Sequence, residues 1–97
     1  MTTYNLEFFK DAKKEWDRLD ESIRVQFRKK LAQRLANPHV PSARLSGMTN
    51  CYKIKLRSVG YRLIYQVEDE TITVVVVAIG KRERERDDAY RRAAKRL

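Results

Sequence analysis

The stretch from Cys51 to Val67, "CYKIKLRSVGYRLIYQV", admits few folds. It reads as two strand-length runs, "CYKIKLR" and "YRLIYQV", joined by Ser58, Val59 and Gly60, a join short enough for a tight β-hairpin. Successive side chains along a strand point to opposite faces, so the pairing register decides which residues share a face. With Arg57 opposite Gly60, Leu56 faces Tyr61, Ile54 faces Leu63 and Tyr52 faces Tyr65, and every one of these pairs is apolar or aromatic. The opposite face then carries Lys55 against Arg62 and Lys53 against Ile64. A slip of one residue would set Leu63 against Lys55 and mix the faces. The register therefore predicts a hairpin with one core face and one cationic face.

The flanking segments supply what the core face packs on. Tyr4, Leu6 and Phe8 alternate with polar neighbours and predict a short first strand. In "KDAKKEWDRLD", Ala12, Trp16 and Leu19 recur at helical spacing, and Trp16 reads as a core residue. Asp20 is placed to cap a second helix in "ESIRVQFRKKLAQRLAN", where Ile23, Phe27, Leu31 and Leu35 recur every fourth residue until Pro38 ends the run. Two amphipathic helices with so short a join predict a helical hairpin. A loop, "NPHVPSARLSGMTN", leads into the sheet. After the turn "EDET", the nearly continuous apolar run "ITVVVVAI" predicts a central strand covered on both sides. Gly80 is read as its end, and "KRERERDDAYRRAAKRL" as a charged C-terminal helix. The expected class is α+β: one domain, residues 1–97, with a helical hairpin on a mainly antiparallel four-stranded sheet and a C-terminal helix.

Charge narrows the function. The chain of 97 residues carries 22 Lys+Arg against 13 Asp+Glu, a formal net charge of +9, and no Asp or Glu lies between Ser22 and Val67. That tract holds Arg24, Arg28, Lys29, Lys30, Arg34, Arg44, Lys53, Lys55, Arg57 and Arg62. A domain this basic attracts polyanions, of which nucleic acid is the commonest; a merely well-solvated basic surface is the bland alternative. One cysteine cannot form an internal disulfide, and no run has signal-peptide or bilayer-spanning length, so a cytoplasmic protein without a membrane partner is expected. The sequence contains no phosphate-binding glycine loop and no Cys/His cluster, and neither metal nor cofactor is expected. The lone His39 lies in a proline-flanked loop and Cys51 in a strand; both read as structural.

What remains is the cationic face. Lys55 opposite Arg62 is a like-charge pair that costs stability by roughly 0.2–1 kcal/mol when exposed. Lys53 lies beside it, and Arg82 follows the central strand. An anion would complete such a set, and an RNA phosphate fits. Clustered cations serve binding, and they also serve cleavage through the RNA 2′-hydroxyl: neighbouring positive charge lowers a lysine pKa toward that of a useful base, while arginines stabilise the phosphate. Residue types alone favour binding.

Three stretches alter that balance: "KKEWDRL", "LSGMTNCYKIKLRSVGYRLIYQV" and "IGKRERE" with the closing "AKRL". With them the chain resembles the RelE family of bacterial and archaeal toxin–antitoxin toxins over nearly its whole length. The resemblance implies a fold related to small microbial ribonucleases. It also implies an endoribonuclease, an mRNA interferase that enters the ribosomal A site and cuts mRNA there without metal, by 2′-hydroxyl attack, and so inhibits translation. By position, Lys53, Lys55, Arg62 and Arg82 fall on the family's catalytic cations, with one lysine as general base. Tyr90 falls on its C-terminal tyrosine, but two additional residues precede it, and two residues turn a helix by about 200°. Tyr90 is thus either catalytic or a core contact of the last helix. Arg24, Arg28, Lys29, Lys30, Arg44, Arg57, Lys81 and Arg84 are the expected contacts to RNA and ribosome. The implied partners are the bacterial ribosome with its rRNA, mRNA, and a cognate RelB-like antitoxin that forms a hetero-oligomer with the chain. The competing readings are a non-enzymatic toxin of the same fold, such as a ParE-like gyrase inhibitor, and a basic RNA-binding module.

Overall fold

The computed structural model describes residues 3–84 and 86–97. Strand β1 (Asn5–Phe8) is followed by helices α1 (Lys10–Asp17) and α2 (Glu21–Ala36), a 3₁₀ turn (Pro41–Ala43), strands β2 (Cys51–Leu56), β3 (Tyr61–Glu68), β4 (Thr73–Glu83) and β5 (Arg86–Asp87), and helix α3 (Asp88–Arg96). The sheet runs β1-β4-β3-β2, with β5 paired to β4. Strands β2, β3, β4 and β5 pair antiparallel, while β1 lies parallel to β4 from Asn5 against Thr73 to Phe8 against Val76. The expected class is the observed one.

The β2–β3 register is the one that the alternation requires: Leu56 against Tyr61, Lys55 against Arg62, Ile54 against Leu63, Lys53 against Ile64 and Tyr52 against Tyr65. Gly60, at φ 72, turns the chain, and its N–H donates to the Leu56 carbonyl at 2.9 Å. Positive φ is a conformation glycine adopts without steric cost. On the core face, Tyr52, Ile54, Leu56, Leu63, Tyr65 and Val67 pack with Val74, Val76 and Ile79 of β4 against Ala12, Trp16, Ile23, Phe27 and Leu31 of the helical hairpin. Burying an aliphatic or aromatic side chain contributes about 1.5–3 kcal/mol. A few such residues outweigh the repulsion of one cross-strand cation pair, so the core face imposes the register on the cations.

A bulge between Ile64 and Tyr65 resets the β3–β4 pairing, taking Ile64 to Ala78 and Tyr65 to Val76. Beyond it, Val77 and Ala78 join Met48, Cys51 and Ile64 in a second core beneath Ala89 and Ala93 of α3. Strand β4 is thus buried on both faces from Thr73 to Gly80, as its apolar run predicts.

The C-terminal segment departs from expectation. Gly80 does not end β4: Lys81, Arg82 and Glu83 continue the strand, Arg82 then pairs with Asp87 and Glu83 with Arg86, and the helix begins only at Asp88. The expected helix over 81–97 also includes Glu85, outside the described residues. Gly80 serves close packing instead. A Cβ at this position would stand 2.7 Å from the Ala89 backbone nitrogen and 2.8 Å from the Asp88 Cβ. Helix α3 is also tied down by charge. Arg96 grips Glu15 of α1 with two hydrogen bonds, at 2.6 and 3.0 Å, and Arg92 donates to the Ile79 carbonyl at 2.6 Å.

Gly80→Ala forces the start of α3 away from β4. The unfolding free energy is expected to fall by about 1–3 kcal/mol, the usual cost of overpacking. Urea denaturation measures it, and an unchanged midpoint would contradict the close approach.

Candidate active site

The face of the hairpin that does not enter the helical-hairpin core begins with Cys51 and Ile64 beneath α3 and continues outward as Lys53, Lys55 and Arg62. These three cations are half-buried. The Arg82 backbone N–H donates to the Gly60 carbonyl at 2.8 Å, which brings the end of β4 against the hairpin turn. A cleft of about 400 Å³ opens there, lined by Lys55, Leu56, Arg57, Gly60, Tyr61, Arg62, Arg82 and Arg84. A second cleft, of about 370 Å³, shares Lys55 and Arg57 with the first and adds Lys30, Arg34, Ser42 and Lys53. The two form one cationic tract around the edge of β2.

Crowding of charge shows in Lys55. Lys53 first, then Arg62, hold its ammonium below the usual lysine value, with minor contributions from burial and Arg57. Arg62 has a counter-ion that the alternation did not disclose. Its Nη1 donates to Asp87 Oδ2 at 2.7 Å, with the two side chains only 16% and 23% exposed. The expectation of an unpaired cationic set is therefore corrected at Arg62: a carboxylate completes it in the free chain. Asp87 was hidden because its segment reads as helix interior, whereas it caps α3, its Oδ1 accepting the Tyr90 N–H at 3.1 Å.

Not every expected contact residue lies on the tract. Arg57, Arg84 and Lys30 do. Lys81 is exposed on β4, 3.8 Å from Glu83, and Arg44 lines a separate concavity formed by residues 44–49. Lys29 is exposed on α2. Arg24 is engaged internally: its guanidinium donates to Glu21 and to the carbonyls of Asp17 and Leu19, closing the end of α1. Arg28 bonds Glu21 and lies 5.8 Å from the Trp16 ring centre. Tyr90 is not a core contact; it is 41% exposed on the first turn of α3. Arg34, passed over as a site residue, donates to the Lys53 carbonyl at 3.2 Å and to the Tyr65 hydroxyl at 2.9 Å, fixing the rim of the second cleft.

His39 and Cys51, read as structural, line neither cleft. His39 bridges the Tyr52 hydroxyl, at 2.8 Å, and Asp69, at 2.9 Å. Asp69 also accepts from Tyr4, and these bonds, that from His39 foremost, hold its carboxyl below the usual range. Cys51 is buried, and desolvation pushes its thiol up to about 11. Among the described residues, no three His, Cys, Asp or Glu side chains converge as metal ligands would.

Residues 6–86 match the model of a family described as ParE toxin of type II toxin-antitoxin system, parDE. Over 94 residues the chain is 53% identical to an Escherichia coli RelE-like toxin protein and 49% identical to the mRNA interferase toxin RelE of E. coli strain K12, each alignment covering 97% of both chains. It superposes with a TM-score of 0.81, at 51% identity, on a chain of the intact E. coli RelBE toxin–antitoxin complex, covering 84% of this chain and 99% of that one. The chain belongs to the RelE/ParE family of type II toxins.

Lys55 supplies a test of the site's electrostatics. Its folded value lies below the ordinary 10.5, so between the two values the unfolded chain binds more protons and stability rises with pH. Lys55→Met should abolish that alkaline rise and, by relieving repulsion, raise the unfolding free energy at neutral pH by about 0.2–1 kcal/mol. Urea melts at pH 7 and in the alkaline range read both; a variant less stable than its parent at pH 7 contradicts the assignment.

Proposed function

We propose that this chain is a ribosome-dependent mRNA endoribonuclease. The observation that carries the proposal is the convergence of Lys55, Arg62 and Arg82 on one cleft, with Lys55 held below the usual lysine value by Lys53 and Arg62. In this reading neutral Lys55 takes the proton of an RNA 2′-hydroxyl. The 2′-oxygen attacks the adjacent phosphorus, the P–O5′ bond breaks, and the products are a 2′,3′-cyclic phosphate and a 5′-hydroxyl. Arg62 and Arg82 stabilise charge on the nonbridging oxygens, and a cationic side chain supplies the proton to the leaving 5′ oxygen. Lys53 tunes Lys55 and binds the backbone. The exposed Tyr90 ring is available for a displaced base to stack on.

The relatives at about half identity support this reading, since one is named an mRNA interferase. In this reading the chain acts in the cytoplasm, on mRNA in the A site of bacterial ribosomes. A RelB-like antitoxin holds it in a hetero-oligomer, the relation that the RelBE complex records for the E. coli toxin. Lys30, Arg57 and Arg84 bind RNA phosphates along the tract, and the exposed Lys29, Arg44 and Lys81 meet the ribosome. The family model is described as a ParE toxin; a second reading, a non-enzymatic toxin that inhibits gyrase, is distinguished by a supercoiling assay.

Replacing both Arg62 and Arg82 by Ala should lower ribosome-dependent mRNA cutting by about 10³-fold or more, the scale on which charge-stabilising donors act, while circular dichroism still reports a folded chain. Primer extension on a translated message measures the loss. Full-rate cutting by the folded double variant would overturn the assignment.

A further inference from the structure

Asp87 stands at a junction. One of its oxygens accepts from Arg62, and the other accepts the Tyr90 N–H at the start of α3. In the strand register it lies directly across from Arg82, and Gly80, on which α3 rests, lies directly across from Arg62. A carboxylate from the start of the last helix thus occupies a guanidinium that lines the cationic cleft.

We propose that Asp87 is a built-in competitor for the RNA phosphate: it neutralises Arg62 in the free toxin, and a phosphate must take its place there. The inference rests on the reading of Lys55, Arg62 and Arg82 as a phosphate site. Carboxylate and phosphate offer a guanidinium the same charge-assisted hydrogen bonds, so one replaces the other without a new donor geometry. The exchange leaves α3 capped, because the Tyr90 N–H uses the oxygen that Arg62 does not. Largely buried charges are screened little by salt, so the resident carboxylate subtracts appreciably from phosphate affinity. The device keeps the cleft closer to neutral until RNA is held by the remaining cations, which favours a long, multiply anchored strand over stray small anions.

The charge and the cap can be separated, since Asn caps helices about as well as Asp. The test compares the full-length chain with Asp87→Asn, Asp87→Ala and Arg62→Ala, using a 2′-O-methyl RNA trinucleotide that cannot be cleaved. Binding is read by calorimetry, and capping of α3 by amide exchange at Ala89 to Arg92. Asp87→Asn is expected to bind the probe about tenfold more tightly, a change of about 1.4 kcal/mol, with exchange at α3 unchanged. Asp87→Ala should bind more tightly than the parent but exchange faster at α3. Arg62→Ala should weaken binding. If Arg62→Ala weakens binding and Asp87→Asn binds no more tightly than the parent, Asp87 only orients Arg62 and the competitor proposal fails alone. If Arg62→Ala leaves binding unchanged, the phosphate-site reading fails, and this proposal with it.

Discussion

The pairing of β2 with β3 is the constraint on which the site depends. Tyr52, Ile54, Leu56, Leu63 and Tyr65 enter the helical-hairpin core, and with period-two alternation that commits Lys53, Lys55 and Arg62 to the opposite face. The cations are not drawn together by any favourable interaction among themselves. Apolar burial on one side of the hairpin holds them together on the other, against their repulsion, and Lys53 and Arg62 accordingly hold the Lys55 ammonium below the usual lysine value. Stability and reactivity are in this sense one feature seen from two faces of a strand pair.

The far end of the same face is finished by α3. Its alanines allow the helix to approach the sheet, Gly80 removes the Cβ that would stop it, and Arg96 on Glu15 anchors its last turn. The start of the helix then falls beside Arg62, so that a capping residue also becomes a counter-ion. Of the described residues between the "KRER" motif and Tyr90, Arg86 and Asp87 pair as strand with β4 and only Asp88 and Ala89 are helical, so Tyr90 stays on the first turn of α3.

Much of this was legible in the sequence, for reasons that can be stated residue by residue. The hairpin register followed from alternation alone, because only one register separates Leu63 from Lys55. The helical hairpin followed from the spacing of Trp16, Phe27 and Leu31, and the buried β4 from its unbroken apolar run. The C-terminal segment was misread because local composition cannot show a close approach in space. Gly80 looks like a strand terminator until Ala89 is placed against it, and "KRERERDD" has the charge of a solvated helix although residues 81–83 and 86–87 are strand. Asp87 was missed for the same reason, since its partner Arg62 lies 25 residues away. Arg24 shows the converse: an acid-free tract suggests a free cation, but the carbonyls closing α1 claim it.

The central claim is that the repelled cations of the hairpin face cleave RNA through its own 2′-hydroxyl. Its most direct test is single-turnover cutting by the wild-type chain on ribosomes programmed with an mRNA whose A-site codon carries 2′-deoxynucleotides, beside the all-ribose message. The account predicts cutting of the ribose message only on ribosomes, with a 2′,3′-cyclic phosphate end, and no cutting at the deoxy codon. Equal cutting of both messages would contradict it.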